Sequence, residues 1–139
     1  MKPKYMLDTN ICIYLMKRQP PSVRARFAEC FVGDVVISAI TLAELEYGVA
    51  VSGASQAQNQ AALSRFVAEI PVAPFEVVAA RQYGPLRAAA RERNQDALDK
   101  LIASHALSLG VTLVTNNEHD FRRYVGLTVE NWVTPVGGH

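Results

Sequence analysis

Apolar and polar positions along the chain mark short buried strands set between longer helical stretches. Residues 5–7 (Tyr-Met-Leu) and 35–37 (Val-Val-Ile) are brief apolar runs bounded by polar residues, and they read as buried strands. Residues 72–75 form a third strand, whose Pro74 suits a sheet edge because proline cannot donate to a ladder. Residues 111–114 (Val-Thr-Leu-Val) are the clearest strand of all, and 127–129 (Leu-Thr-Val) supply a fifth.

Between these runs the apolar residues recur at helical spacing. Ser22, after Pro20-Pro21, is placed to cap a helix over 23–31, and Thr41 with Glu44 reads as a capping box opening a helix over 41–51. Longer helices are expected over 56–69 and 76–93, the second kinked or broken at Gly84-Pro85. A further helix over 98–109 stops at Gly110. Strands and helices in alternation predict an α/β protein, with a parallel sheet covered by helices on both faces. In such sheets ligands bind beyond the carboxyl ends of the strands.

Oxygen-bearing side chains stand at those ends. Asp8, Thr9 and Asn10 follow the first strand, and Thr115, Asn116, Asn117 and Asp120 follow the fourth. Asp8 and Thr9 also suit the cap of a following helix, so alone they decide nothing. Glu44 says more. On helix 41–51 one apolar stripe is Leu42, Leu45 and Val49, while Ile40, Tyr47 and Val51 form a second, with Glu44 in its middle and Gly48 one turn on. A carboxylate among apolar neighbours tends to lose its charge unless a cation or a donor holds it ionised. Asp99 lies in the first turn of helix 98–109, where negative charge is favourable. It sits at the edge of the stripe Leu98, Leu101, Ile102, His105 and Leu109. His105 reads as a hydrogen-bonded core histidine, and Lys100 either touches substrate or faces water.

Composition narrows the chemistry. The 139 residues are half hydrophobic, enough for one domain over 1–139 with 135–139 as a flexible tail. A formal charge of +1 exerts no global pull on nucleic acid or membrane, so a polyanion must be held by a local patch. Arg87 and Arg91, one turn apart, and Arg122-Arg123 after the fourth strand can form one; each also fits a solvated helix face. Cys12 and Cys30 make neither a disulfide framework nor a zinc pattern. With no bilayer-length apolar run and no signal-peptide core, a cytoplasmic protein is expected. Carboxylates and amides without soft ligands suit Mg²⁺ or Mn²⁺ rather than zinc. Such a site orients a water and a phosphate oxygen for in-line displacement.

Four segments in order carry a resemblance: Met-Leu-Asp-Thr-Asn-Ile at 6–11, Ser-Ala-Ile-Thr-Leu-Ala-Glu-Leu at 38–45, Asp-Lys-Leu-Ile-Ala-Ser-His-Ala at 99–106 and Val-Thr-Asn-Asn at 114–117. With the closing Val129-Glu130-Asn131-Trp132 they resemble the PIN-domain ribonucleases and, within them, the VapC toxins of bacterial toxin–antitoxin pairs. The resemblance implies a PIN-like three-layer α/β/α sandwich with a five-stranded parallel sheet. It implies an Mg²⁺- or Mn²⁺-dependent endoribonuclease that cuts RNA, with tRNA the family-level expectation, and so inhibits translation. It also implies a VapB-type antitoxin as partner and a homodimer within that complex.

Residue by residue, Asp8, Glu44 and Asp99 match the family's three core acids, and Asn117 or Asp120 fills the fourth position. The resemblance thus implies catalytic roles for Asp8, Glu44, Asp99 and Asp120, and metal ligation by Asp8, Glu44, Asp99 and Asn117. Thr9, Asn10, Thr115 and Asn116 would position substrate, and Arg87, Arg91, Arg122 and Arg123 would bind RNA. The stretch 91–98 lacks the glycines that the family often carries before its third acid. The alternative is a non-catalytic RNA-binding or adaptor PIN domain with a degenerate fourth acid. A receiver-type phosphoacceptor fits poorly, since Asp8 has no acidic neighbour and no aspartate follows 72–75.

Overall fold

The computed structural model describes residues 2–90 and 97–133. In chain order the elements are β1 (Tyr5–Leu7), α1 (Thr9–Lys17), α2 (Pro21–Ala28), β2 (Val35–Ser38), α3 (Ala39–Ala50), α4 (Gln56–Glu69) and β3 (Val72–Ala73). Then come α5 (Val77–Ala89), α6 (Ala97–Leu109), β4 (Thr112–Val114), α7 (Glu118–Phe121) and β5 (Val129–Glu130). All strand pairs are parallel, in the order β3-β2-β1-β4-β5, which leaves the strand before Pro74 at an edge. Successive side chains point to opposite faces of a strand. Leu7, Val35, Ile37 and Val114 accordingly pack with Ile11, Leu45 and Leu63 of the first helices. Met6, Val36 and Leu113 pack on the other face with Ile102, Ala103 and Ala106 of α6. Two cores, one on each face, make the three-layer α/β/α sandwich.

Local chemistry moves several boundaries. Ser38, not Thr41, caps α3, its Oγ accepting from the Ile40 N–H at 3.0 Å. The Thr41–Glu44 capping box therefore does not form, and Thr41 is buried with its hydroxyl unpartnered among the described residues. Ser22 is no cap either: Pro20 occupies that position, and Pro21 opens α2, where a missing N–H is tolerated. Helix α2 ends at Ala28 rather than at 31. Pro85 does not break α5, which runs through it to Ala89, held by Leu86 and Ala90 in the second core. On α3, Thr41, Leu45 and Val49 face inward, while Tyr47 and Val51 of the second stripe are exposed. Arg91, the rest of 91–96 and the tail 135–139 lie outside the described residues.

Candidate active site

Strand register builds the site. Leu7 pairs with Ile37 on one side and Val114 on the other, and Val114 pairs with Glu130. One residue further on, Ser38, Asp8, Thr115 and Asn131 form a row at the carboxyl edge, where the Asp8 N–H still reaches the Val114 carbonyl at 3.0 Å. From β1 the chain moves outward to β2, and from β4 it moves the opposite way to β5. The gap between Asp8 and Thr115 is thus the topological switch point, where doubly wound sheets open a crevice.

Asp8 is buried there as the N-cap of α1. Its Oδ1 accepts from the Ile11 N–H at 3.0 Å, and its Oδ2 accepts from Thr115 Oγ1 at 2.5 Å. The Thr115 oxygen itself accepts from the Asn117 N–H at 2.9 Å, which leaves its proton for Asp8. Burial, with repulsion from nearby Glu44 added, still pushes the Asp8 carboxyl from 3.8 to about 6, against the pull of these donors and of the Asn10 N–H. Glu44, half-buried on α3, accepts from the Thr9 hydroxyl at 2.5 Å. Thr9 therefore ties α1 to Glu44 instead of capping its own helix.

The donor set fits a hard divalent ion. Asp8 and Glu44 offer oxygen only, each keeps lone pairs beyond the bonds just named, and a cation between them would relieve the strain on Asp8. Among the described residues no three His, Cys, Asp or Glu side chains stand close enough to hold one ion together. The structure brings Asp8 to Glu44 and does not add Asp99 or Asp120 to them as a third ligand. Asp120 is instead joined to Asn117, whose Nδ2 donates to its Oδ2 at 3.0 Å, so the two contenders for the fourth position stand together.

Asp99 is half-buried in the first turn of α6. That helix is tied to the site through His105, whose Nδ1 lies 2.8 Å from Ser38 Oγ and whose ring meets Phe75 edge-on at 5.3 Å. Burial lowers the His105 pKa, which favours the neutral ring, and its Nδ1 shares one hydrogen bond with the Ser38 hydroxyl. His105 is thus the core histidine expected of it. Lys100, by contrast, does not face water: it is only 2% exposed.

The arginines are engaged within the chain. Arg122 pairs with Glu118 at 2.7 Å, and Arg123 donates to the Asp120 carbonyl and the Tyr124 hydroxyl. Arg87 donates to the Tyr83 hydroxyl at 2.9 Å and lies over that ring. Sequence reasoning missed Asn131 and Tyr14. Asn131 Nδ2 donates to Glu118 Oε2 at 2.9 Å and to Asn116 Oδ1 at 3.2 Å, while Asn116 Nδ2 lies 3.4 Å from the Tyr14 hydroxyl. The available signal was positional, since Asn131 follows its strand as Thr115 follows β4.

Fold and site define a class, the α/β/α sandwiches with an oxygen-only carboxylate centre at the switch point. The family model for the PIN domain matches residues 5–127. The chain is 43% identical over 131 residues to the tRNA(fMet)-specific endonuclease VapC of Shigella flexneri, covering 93% of this chain and 98% of that one. It is 40% identical over 134 residues to ribonuclease VapC2 of Rickettsia felis, covering 92% and 97%. Among solved structures it matches DNA-bound VapBC from Salmonella typhimurium with a TM-score of 0.85 at 37% identity, over 94% of this chain and 99% of that one. The chain belongs to the PIN-domain family, in its VapC ribonuclease branch. Among the described residues no helix is long and apolar enough to cross a membrane.

Proposed function

We propose that this chain is the endoribonuclease toxin of a type II toxin–antitoxin pair, and that it cuts RNA by metal-assisted attack of water on a phosphodiester. The observation that carries the reading is the Asp8–Glu44 pair, held at the switch point by hydroxyls from Thr115 and Thr9. Asp8 and Glu44 would hold Mg²⁺ or Mn²⁺ directly, with Asp99 and Asn117 completing the shell through bound water. A bound divalent ion lowers the pKa of a water and offsets charge on the phosphate.

The chain's own residues do the rest. Ile11 and Thr115 fix the Asp8 carboxylate in one orientation, and Thr9 fixes Glu44 through its Oε1. The other Glu44 oxygen takes the proton of the attacking water, and Asp120, steadied by Asn117, serves the same chemistry from the segment that follows β4. Asn10, Thr9, Thr115 and Asn116 position the substrate along the carboxyl edge. In-line attack breaks the bond from phosphorus to the 3′ oxygen, which takes up a proton from solvent water, leaving a 5′-phosphate and a 3′-hydroxyl. Arg87, Arg91, Arg122 and Arg123 guide the RNA, with Arg122 exchanging Glu118 for phosphate.

The relatives support the particulars. One is named for tRNA(fMet), which favours a tRNA substrate and a cytoplasmic setting, and the solved neighbours are VapBC complexes, which favours a VapB-type antitoxin. Exposed Tyr47 and Val51 on α3 suit a second copy across a two-fold axis. The test is incubation of purified, antitoxin-free protein with tRNA, in Mg²⁺ and in EDTA. Discrete fragments that need the ion and vanish in Asp8→Asn are expected. Intact tRNA under every ion condition overturns the reading in favour of a non-catalytic adaptor.

A further inference from the structure

We infer that Asn131, just past the end of β5, is a positioning residue for the metal centre: its one amide clamps the residues on either side of Asn117 and so fixes where Asn117 and Asp120 present their oxygens. The inference rests on the ribonuclease reading and deepens it. Asn131 Nδ2 donates to Asn116 Oδ1 at 3.2 Å and to Glu118 Oε2 at 2.9 Å. A primary amide nitrogen carries two hydrogens, and both go to this one segment. Asn131 Oδ1 accepts from the Val133 N–H at 2.9 Å, which sets the orientation of the amide from its own stretch of backbone.

The residue between the two clamped positions is the one that needs holding. Asn117 stands at the N-cap of α7 but makes no capping bond with its side chain. That side chain turns instead to Asp120, Nδ2 to Oδ2 at 3.0 Å. The Asn117 N–H reaches Thr115 Oγ1 at 2.9 Å, the oxygen whose proton goes to Asp8. Four-residue α7 holds itself poorly, because a single turn fixes many dihedrals for few hydrogen bonds. Here those bonds are Phe121 N–H to the Asn117 carbonyl at 3.3 Å and Arg122 N–H to the Glu118 carbonyl at 2.8 Å. Phe121, buried in the second core, anchors the far end of α7. The near end, where the site lies, is fixed by Asn131 through Glu118.

The residue type follows from its partners. An amide carbonyl and a carboxylate both accept, so the group between them must offer two donors at nearly one point. Serine and threonine carry one hydroxyl proton and ionised aspartate carries none, whereas asparagine meets both acceptors. Arg122 Nη2 holds the other Glu118 oxygen at 2.7 Å. When Arg122 moves to phosphate, the bond from Asn131 still holds Glu118, and α7 keeps its place as RNA binds. Side chains that orient a metal's ligands from behind are worth about ten- to a hundredfold in metal affinity.

The experiment uses the full chain and reads Mn²⁺ affinity from the free-ion electron paramagnetic resonance signal, with urea unfolding run alongside, in the parent, Asn131→Ala, Asn117→Ala and the double variant. Asn131→Ala is expected to weaken Mn²⁺ binding by about tenfold in the parent and by less than about twofold once Asn117 is already alanine, because it acts through that residue. A general effect on folding would cost the same factor in both backgrounds. Glu118→Ala cuts the same clamp from the α7 side and leaves the end of β5 intact, so it gives a loss of the same size even if Asn131→Ala unfolds. Parent-like affinity in a folded Asn131→Ala or in Glu118→Ala, or equal factors in the two backgrounds, overturns the inference and leaves the ribonuclease reading intact. A parent that cuts no tRNA in Mg²⁺ or Mn²⁺ overturns both.

Discussion

At Asp8 the demands of folding and of chemistry oppose each other. Burial pushes its carboxyl from an ordinary 3.8 up to about 6 in the folded chain, so between those values the folded state holds the proton more tightly than the unfolded one. The stability this group contributes is full below 3.8 and is lost as pH rises through about 6, which leaves the ion-free protein about 3 kcal/mol poorer at neutral pH. Asp8→Asn keeps a capping side chain and carries no charge. It should be more stable than the parent by up to about 3 kcal/mol at pH 7.5 in EDTA, while RNA cleavage falls by at least about a hundredfold. Urea unfolding followed by the lone tryptophan, Trp132, buried against Tyr5, reads the stability; a marked loss would contradict the strain assigned to Asp8. Thr115→Val removes the hydroxyl that lowers the Asp8 pKa. It should push the carboxyl still higher and weaken Mn²⁺ binding by about ten- to a hundredfold, as measured by calorimetric titration. The acids themselves were legible in the sequence, because a charge among apolar neighbours stands out. Their hydroxyl partners were not, because which threonine meets which carboxylate depends on strand register.

Among the elements, α6 and α3 are joined where His105 meets Ser38, the residue that caps the Glu44 helix. Because burial lowers the His105 pKa, the unfolded chain takes up a proton near 6.5 that the folded chain takes up only at lower pH. The stability this contact contributes is present above 6.5 and is lost as pH falls through the lowered value, a slope opposite in sign to that of Asp8. Measured in an Asp8→Asn background, which removes the opposing slope, His105→Phe should flatten the acid limb of the stability profile. It should also cost about 1–3 kcal/mol at pH 7.5, since it strands the Ser38 hydroxyl. An unchanged acid limb would mean that His105 does not titrate with folding. The same junction shows where sequence patterns misled. Thr41-Leu-Ala-Glu44 has the spacing of a capping box, but β2 ends at Ser38 and the helix starts there, three residues earlier. Four-residue α7 is too short to display a period, so its position between β4 and β5 was invisible beforehand. Period and length served well for α4, whose predicted bounds match.

For the whole molecule, alternating short strands and helices were sufficient to indicate a parallel sheet with two covered faces. Strand order settles where its crevice opens, and that order places Asp8 and Thr115 side by side although β1 and β4 lie at opposite ends of the chain. A nearly neutral chain with a concentrated carboxylate centre should bind divalent ions at that centre and little elsewhere. Mn²⁺ titration followed by the loss of its free-ion electron paramagnetic resonance signal tests this most directly, in the parent and in Asp8→Asn and Asp99→Asn. The account predicts saturable binding by the parent and affinity reduced by about tenfold or more in each variant. Asp99→Asn holding Mn²⁺ as tightly as the parent, or a parent that binds none and still cuts RNA in EDTA, would contradict it.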